Sequence, residues 1–302
     1  MKVKSEQIPI LSPPELSKIH FEDVSKMEHT NISSVFHINR LEDYKDSINF
    51  PLPPHRKTVF DFIFLTKGTS KRSKGLTQYV FEANTFFFLP AYQITTHEYM
   101  SLDAEGFFCH FDMQILNRHF VKQDFLKEFA FLQFISQPIV MIENEAYQPI
   151  INILTRLENE YKNDRPHRLD LIGFYLLALF VELKRFVKST AKSHDNAASR
   201  ITQQYEDALA QYVYDKQNVT EYAELLAVSP NHLNKCVKSA TGKSAHDLLE
   251  DMILLEAKVL LKQTTLTISE ISYKVSQQDP SNFGRFFKSK TGLTPKEYRL
   301  LD

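Results

Sequence analysis

Cysteine is scarce in this 302-residue chain: Cys109 and Cys236 are the only two. Two thiols cannot build a disulfide framework or a four-cysteine zinc site, so both read as reduced thiols. An excess of one charge is missing as well. Lys and Arg number 36 against 37 Asp and Glu, a formal charge of −1, which excludes a globally basic nucleic-acid coat and an acidic tail. There is no long hydrophobic run. The most apolar stretch, 169–187, is broken by Asp170, Glu182, Lys184 and Arg185, whereas a membrane span needs about 20 mostly apolar residues. The polar N-terminus reaches Pro13-Pro14 without an apolar segment and is not read as a signal peptide. No nucleophile elbow, phosphate loop or dinucleotide fingerprint occurs.

What is present is phenylalanine, 24 of them against 7 glycines, with 43% hydrophobic residues overall. The length suits two domains with sizeable cores. Between Asn31 and Asp112 the pattern is one of short β runs: 58–66, 78–81, 85–89 and 106–111, with 67–75 as a polar turn. Strands at this spacing predict a small antiparallel barrel or sandwich. The period then becomes helical. Ile150, Ile153, Leu154 and Leu157 share one face of a helix over 146–161, and 169–187 is a second, more apolar helix. That second helix has more apolar surface than one partner helix would cover, which points to subunit association. The small, polar segment 188–200 reads as a linker.

From Ile201 onward the chain is helical and repeats itself. Lys238-Ser239-Ala240-Thr241-Gly242 returns fifty positions later as Lys288-Ser289-Lys290-Thr291-Gly292, and Leu233 and Val237 correspond to Phe283 and Phe287. A fixed interval implies one supersecondary element used twice. Each unit, about 218–239 and 267–290, reads as helix, short turn, helix. Asn218 with Glu221, and Thr267 with Glu270, are capping pairs. Ser229-Pro230 and Asp279-Pro280 supply an N-cap and a first helical residue, and Gly242 and Gly292 end the exposed helices. Thr294-Pro295-Lys296-Glu297 opens a short final helix.

Charge then distinguishes these helices from an ordinary bundle. Residues 200–302 hold 13 basic and 13 acidic side chains, yet 229–243 and 280–290 each contain three basic residues and no acid within them. Positive charge concentrated on two repeated, exposed helices suits a duplex groove flanked by phosphates.

Residues 219–299 resemble the paired helix-turn-helix domain of the AraC/XylS family of bacterial transcription regulators. The resemblance is carried by 268–271, by Asp279 through Lys288, by Thr291-Gly292-Leu293-Thr294-Pro295-Lys296-Glu297-Tyr298-Arg299, and by 256–261 in the helix joining the units. It implies that the two exposed helices enter successive major-groove segments about 34 Å apart on double-stranded promoter DNA. Asn231, Asn234 and Lys235 in the first unit, and Ser281 and Arg285 in the second, are expected at base edges. His232, Lys238, Asn282, Lys288 and Lys290 are expected at phosphates. Two departures stand out. Ser276-Gln277 replaces the usual Gly-Phe in the second turn, which should strain it, and Gly284 lies where a base-reading side chain is usual, so the second unit should act more as a phosphate clamp.

The N-terminal half resembles the cupin-like sensing domain of such regulators, through Pro54-His55-Arg56, the strand to Gly68, and 85–94. The fold class is therefore α+β: a cupin-like antiparallel β-barrel with following helices (1–187), a linker (188–200), and an all-α C-terminal domain (201–302). The resemblance implies a small-molecule effector, with His55, His97 and His110 as candidate lining residues. It further implies a homodimer through the helices of 146–187, RNA polymerase contact, and a cytoplasmic, nucleoid-associated location. No cofactor or metal is expected. The alternative is a metal-dependent cupin enzyme with an appended helical module. Against it, Lys57 stands where the second histidine of a His-x-His pair should be, and no such pair occurs.

Overall fold

The computed structural model describes residues 8–20, 30–44, 47–48, 50–75, 77–117, 128–133, 137–186 and 197–300. The chain divides into two compact units, one of Pro9–Ala191 and one that includes Lys192–Asp302.

Among the described residues the first unit has ten strands in two five-stranded sheets. Its strands are β1 (Ile10–Leu11), β2 (Phe36–Arg40), β3 (Leu52–Lys57), β4 (Phe60–Lys67), β5 (Thr69–Lys74), β6 (Thr77–Glu82), β7 (Thr85–Leu89), β8 (Thr95–Met100), β9 (Glu105–Phe111) and β10 (Ile139–Met141). One sheet runs β1-β3-β8-β5-β6 and the other β10-β7-β4-β9-β2. All pairings are antiparallel except β1 with β3. The expected barrel is thus two sheets rather than one continuous wall.

The phenylalanine runs are explained by a sheet buried on both faces. Successive residues of a strand point to opposite sides. In β4 and β7, Phe62, Phe64, Phe86 and Phe88 join one cluster, while Ile63, Leu65, Phe87 and Leu89 join another with Phe81 of the facing sheet. The first cluster packs against α4 (Asn144–Lys162) and α5 (Arg168–Lys184). Phe180 of α5 lies 5.5 Å from Phe111 and 6.2 Å from Phe88, ring centre to ring centre. With both faces covered, the alternation of polar and apolar residues disappears and the strands read as unbroken hydrophobic text. Pairing of Arg156 with Tyr175 and the short turn 163–167 make α4 and α5 an antiparallel hairpin.

One expectation is overturned here. The stretch 67–75 reads as a turn but contains β5, an interior strand. Its buried polar side chains have partners inside, among them Ser70, whose Oγ meets His97 Nε2 at 2.7 Å, and Arg72, which binds Asp61. Hydrogen-bonded burial removes the desolvation cost that would otherwise keep such residues at the surface.

Short helices α1 (Pro13–His20), α2 (Leu41–Tyr44) and α3 (Gln114–Asn117) complete the first unit. The second consists of α6 (Ala197–Tyr212), α7 (Val219–Leu225), α8 (Pro230–Thr241), α9 (Ala245–Gln263), α10 (Ile268–Ser276), α11 (Pro280–Thr291) and α12 (Pro295–Leu300). Most of the predicted linker lies outside the described residues; its last part, 197–200, is already the first turn of α6. The fifty-residue repeat is structural. Leu233 and Val237 of α8, and Phe283 and Phe287 of α11, are all fully buried.

Both turns use a left-handed residue that is not glycine: Ala227 at φ 53° and Gln277 at φ 49°. The strain expected from the missing glycine of the second turn therefore falls on Gln277, while Ser276 stays helical and bonds back to Ser272. A side chain in this region costs about 1 kcal/mol relative to glycine. Ala227→Gly and Gln277→Gly are each expected to stabilise the C-terminal unit by roughly that amount, read as a higher midpoint of thermal or denaturant unfolding. A lowered midpoint would mean that these turns are not left-handed in solution.

Candidate nucleic-acid interface

The two exposed helices are fixed at both ends by equivalent devices. Asn218 with Glu221, and Thr267 with Glu270, form reciprocal capping boxes at the starts of α7 and α10. Ser229 Oγ accepts from the backbone of His232 at 3.2 Å, and Asp279 Oδ1 accepts from Ser281 and Asn282 at 2.9 and 3.1 Å. Gly242 and Gly292, at φ 77° and 78°, end the helices with the same hydrogen bond back four residues, to Lys238 and Lys288. The caps and the buried pairs together fix which face of α8 and α11 is outward.

On that outward face the ten sequence-predicted residues are all exposed: Asn231, His232, Asn234, Lys235 and Lys238 on α8, and Ser281, Asn282, Arg285, Lys288 and Lys290 on α11. They are not equally available. Asn234 accepts the backbone N–H of Ala245 at 3.0 Å and so also holds the start of α9. Lys290 reaches Glu250 of α9 at 2.6 Å. Its ammonium is shared with a carboxylate before any phosphate arrives. His232 Nε2 lies 3.7 Å from Cys236 Sγ. Arg285 donates to Asn282 Oδ1 at 2.7 Å, and Asn282 in turn donates to Asp279. This chain along one helix edge holds the guanidinium before binding, which reduces the rotamer freedom given up in a complex. Gly284 has open space where a Cβ would stand; nothing inside the unit requires a glycine there.

The helix between the units is anchored from several sides. Tyr205 Oη donates to the Ala245 carbonyl at 2.8 Å, Tyr214 Oη to Glu256 at 2.7 Å, and the Arg299 guanidinium to the carbonyls of Leu261 and Leu266. Lys243 pairs with Asp251 at 2.7 Å. Two acids of α9, Glu250 and Asp251, are thereby engaged by Lys290 and Lys243 at the ends of the repeat, while Glu256 is held by Tyr214 and Asp247 caps α9 itself.

The candidate effector histidines do not form one set. His55 and His97 line a cavity of about 50 Å³ between the two sheets of the first unit, with Lys57, Arg72 and mostly apolar neighbours. His110 is not among its walls; it bonds the Ser33 carbonyl at 2.9 Å and stacks on His37 at 5.2 Å. Burial, together with the positive charge of Lys57, pushes the His55 imidazole down to about 3. Burial followed by Arg72 and Lys57 lowers His97 as well. Both rings are therefore neutral, and each has one nitrogen committed, His55 Nδ1 at the Pro53 carbonyl and His97 Nε2 at Ser70. The cations of this cavity are not evident from sequence. There Lys57 stands out only as the residue replacing a histidine, and Arg72 falls in the supposed turn.

Among the described residues no helix is long and apolar enough to cross a membrane. Residues 222–300 match the family described as "Helix-turn-helix domain". The arabinose operon regulatory protein of Escherichia coli (strain K12) is 30% identical over 159 residues, 52% of this chain and 53% of that protein. The transcriptional activator RhaS of Enterobacter sp. (strain 638) is 24% identical over 161 residues, 52% and 56% of the two chains. The chain spans about half the length of the curated relatives it matches. Among solved structures, ToxT of Vibrio cholerae is similar over 90% of this chain and 97% of its own, at 16% identity and a TM-score of 0.39. The C-terminal domain of AraT from Geobacillus stearothermophilus is similar over 35% and 87%, at 27% identity and a TM-score of 0.32. Residues 222–300 are thus a helix-turn-helix domain, and the chain is similar over about half its length to the arabinose operon regulatory protein and to RhaS.

Proposed function

We propose that the protein is a sequence-specific DNA-binding transcription regulator of the cytoplasm, with α8 and α11 as its recognition helices and the first unit as its effector-sensing part. The carrying observation is the repeat itself: two helices, capped alike and buried through equivalent positions, whose outward faces bear Lys235 and Lys238, and Arg285 and Lys288. Lys235 and Arg285 are placed for base edges, Lys238 and Lys288 for the flanking phosphates. Asn234 and Lys290 keep a tethering role within the unit beside any contact with DNA. Selection of bound fragments from the genome of the source organism tests the reading. One recurrent two-part site, bound with an affinity that falls steeply with salt, is expected; recovery of random duplex would overturn it.

The protein acts as a homodimer in this reading, through α5. Leu171, Phe174, Ala178 and Val181 lie exposed at spacings of three, four and three residues, a seam of the kind that pairs with a second helix. A second copy is the occupant that a self-complementary stripe fits most simply. Changing Leu171 and Val181 together to Glu is expected to convert a dimer to a monomer in sedimentation equilibrium without lowering the unfolding midpoint. An unchanged mass would remove α5 from the interface. Contact with RNA polymerase from the promoter-bound form completes the proposal.

A further inference from the structure

The cavity between the sheets holds a charge pattern that stability alone does not call for. Among the described residues its walls include two cations, Lys57 and Arg72, and no acid. Asp61 sits behind them, fully buried, and binds both: Arg72 through two hydrogen bonds of 2.5 and 3.2 Å, Lys57 at 2.8 Å. Asp61 and Arg72 already make a complete bidentate pair. Lys57 is the surplus charge, 4% exposed in a site of low polarity. Burial, then the neighbouring guanidinium, pushes its ammonium down to about 8. Asp61 occupies one of its three donors, and the Phe108 ring lies 5.1 Å away. The histidines beside it are neutral and do not answer the charge. Most other walls are apolar, among them Leu41, Ile63, Met100 and Phe108.

We propose that this cavity binds a small organic monoanion, a short-chain carboxylate whose head group is held by Lys57 beside His97 and whose carbon body lies on the apolar walls. An incoming carboxylate would bring the cluster to two cations and two anions, which is the state in which burying Lys57 costs least. A neutral sugar fits the site poorly, because most of its hydroxyls would face carbon. At about 50 Å³ the space is well below the roughly 150 Å³ of a cavity that admits benzene, which favours an acid of a few carbons. The inference names the effector class for the sensing role proposed above, and rests on that reading for its consequence at DNA.

Calorimetric titration of the full chain with acetate and propionate, against acetamide and propionamide, tests it. Saturable binding of the acids, at least about tenfold tighter than the isosteric amides, is expected, since only the acids carry the balancing charge. Lys57→Met, which keeps the Asp61–Arg72 pair, should lose that preference while its unfolding midpoint stays level or rises; Lys57→Arg should retain it. Equal response to acid and amide, no saturable binding, or an unchanged preference in Lys57→Met would overturn the proposal. The acid-versus-amide comparison on the unmodified chain stands even if the variant does not fold. Duplex binding measured on the same preparation separates the two readings. DNA binding without acid binding sinks this inference alone, and acid binding without DNA binding sinks the regulator.

Discussion

Replacing Asp61 by Asn is expected to destabilise the N-terminal unit by about 3–5 kcal/mol, the range seen when one partner of a buried ion pair is removed. Asp61 is 1% exposed, with Arg72 at 2% and Lys57 at 4%. Without the carboxylate two cations remain in the interior with an amide between them. That amide cannot replace the bidentate interaction with Arg72, and one of its faces offers donors to donors. A loss of this size is a large share of the roughly 5–15 kcal/mol that holds a domain together. Burial by itself would raise the Asp61 carboxyl; Arg72 and then Lys57 hold it well below the usual carboxylate range instead. Its contribution is therefore full above the unfolded value of about 4 and is lost as pH falls through the depressed native value. Lys57 acts in the opposite limb. Its native value of about 8 lies below the unfolded 10.5, so the unfolded chain binds more protons between those values and stability rises with pH across that window. Chemical denaturation of the wild type and Asp61→Asn, followed from acid to alkaline pH, checks both statements. A variant destabilised by less than about 1 kcal/mol would mean that water reaches the cluster and screens it.

The same cluster marks the limit of what could be read from the sequence. The second unit was legible almost to the residue, because helix caps and a fifty-residue repeat are local signals. Ser229-Pro230, Asp279-Pro280, Gly242 and Gly292 each fix a helix end without help from distant residues. The strands of the first unit were legible where both their faces meet carbon, as in β4 and β7. Strand β5 was not, since Ser70 and Arg72 are inside only by virtue of His97 and Asp61, partners 27 and 11 positions away. Nor could spacing reveal that Asn234 and Lys290 are engaged by Ala245 and Glu250. Exposure on a helix face follows from periodicity; prior commitment to another helix does not. His110 illustrates the same limit within a sheet. Its strand was identified, but its register beside His37 on β2 turns it toward Ser33 and away from His55.

That distinction between exposed and available residues gives the second large effect. Arg285→Ala is expected to weaken binding to the selected site about ten- to a hundredfold and to relax preference at the base it contacts. Arg285 is exposed and held in place through Asn282, and the acid it leans toward is the helix cap Asp279. Lys235→Ala on α8 should act similarly in the other half-site. The double variant, with the halves contacted independently, should approach the affinity for unrelated duplex. Lys238→Ala and Lys288→Ala should behave differently, weakening all duplexes alike and lowering the dependence of log affinity on log salt by about 0.9 for each phosphate no longer neutralised. Lys290→Ala, whose ammonium is already neutralised by Glu250, should change the salt dependence least of the three lysines. Binding isotherms at several salt concentrations, on the selected site and on scrambled duplex, separate these classes. If Arg285→Ala weakened specific and unrelated duplex equally, the second helix would be a phosphate clamp, as Gly284 beside it implies. If neither Lys235→Ala nor Arg285→Ala weakened either duplex, α8 and α11 would not be the DNA-facing helices, since no arrangement of a groove around these faces leaves both side chains away from the duplex.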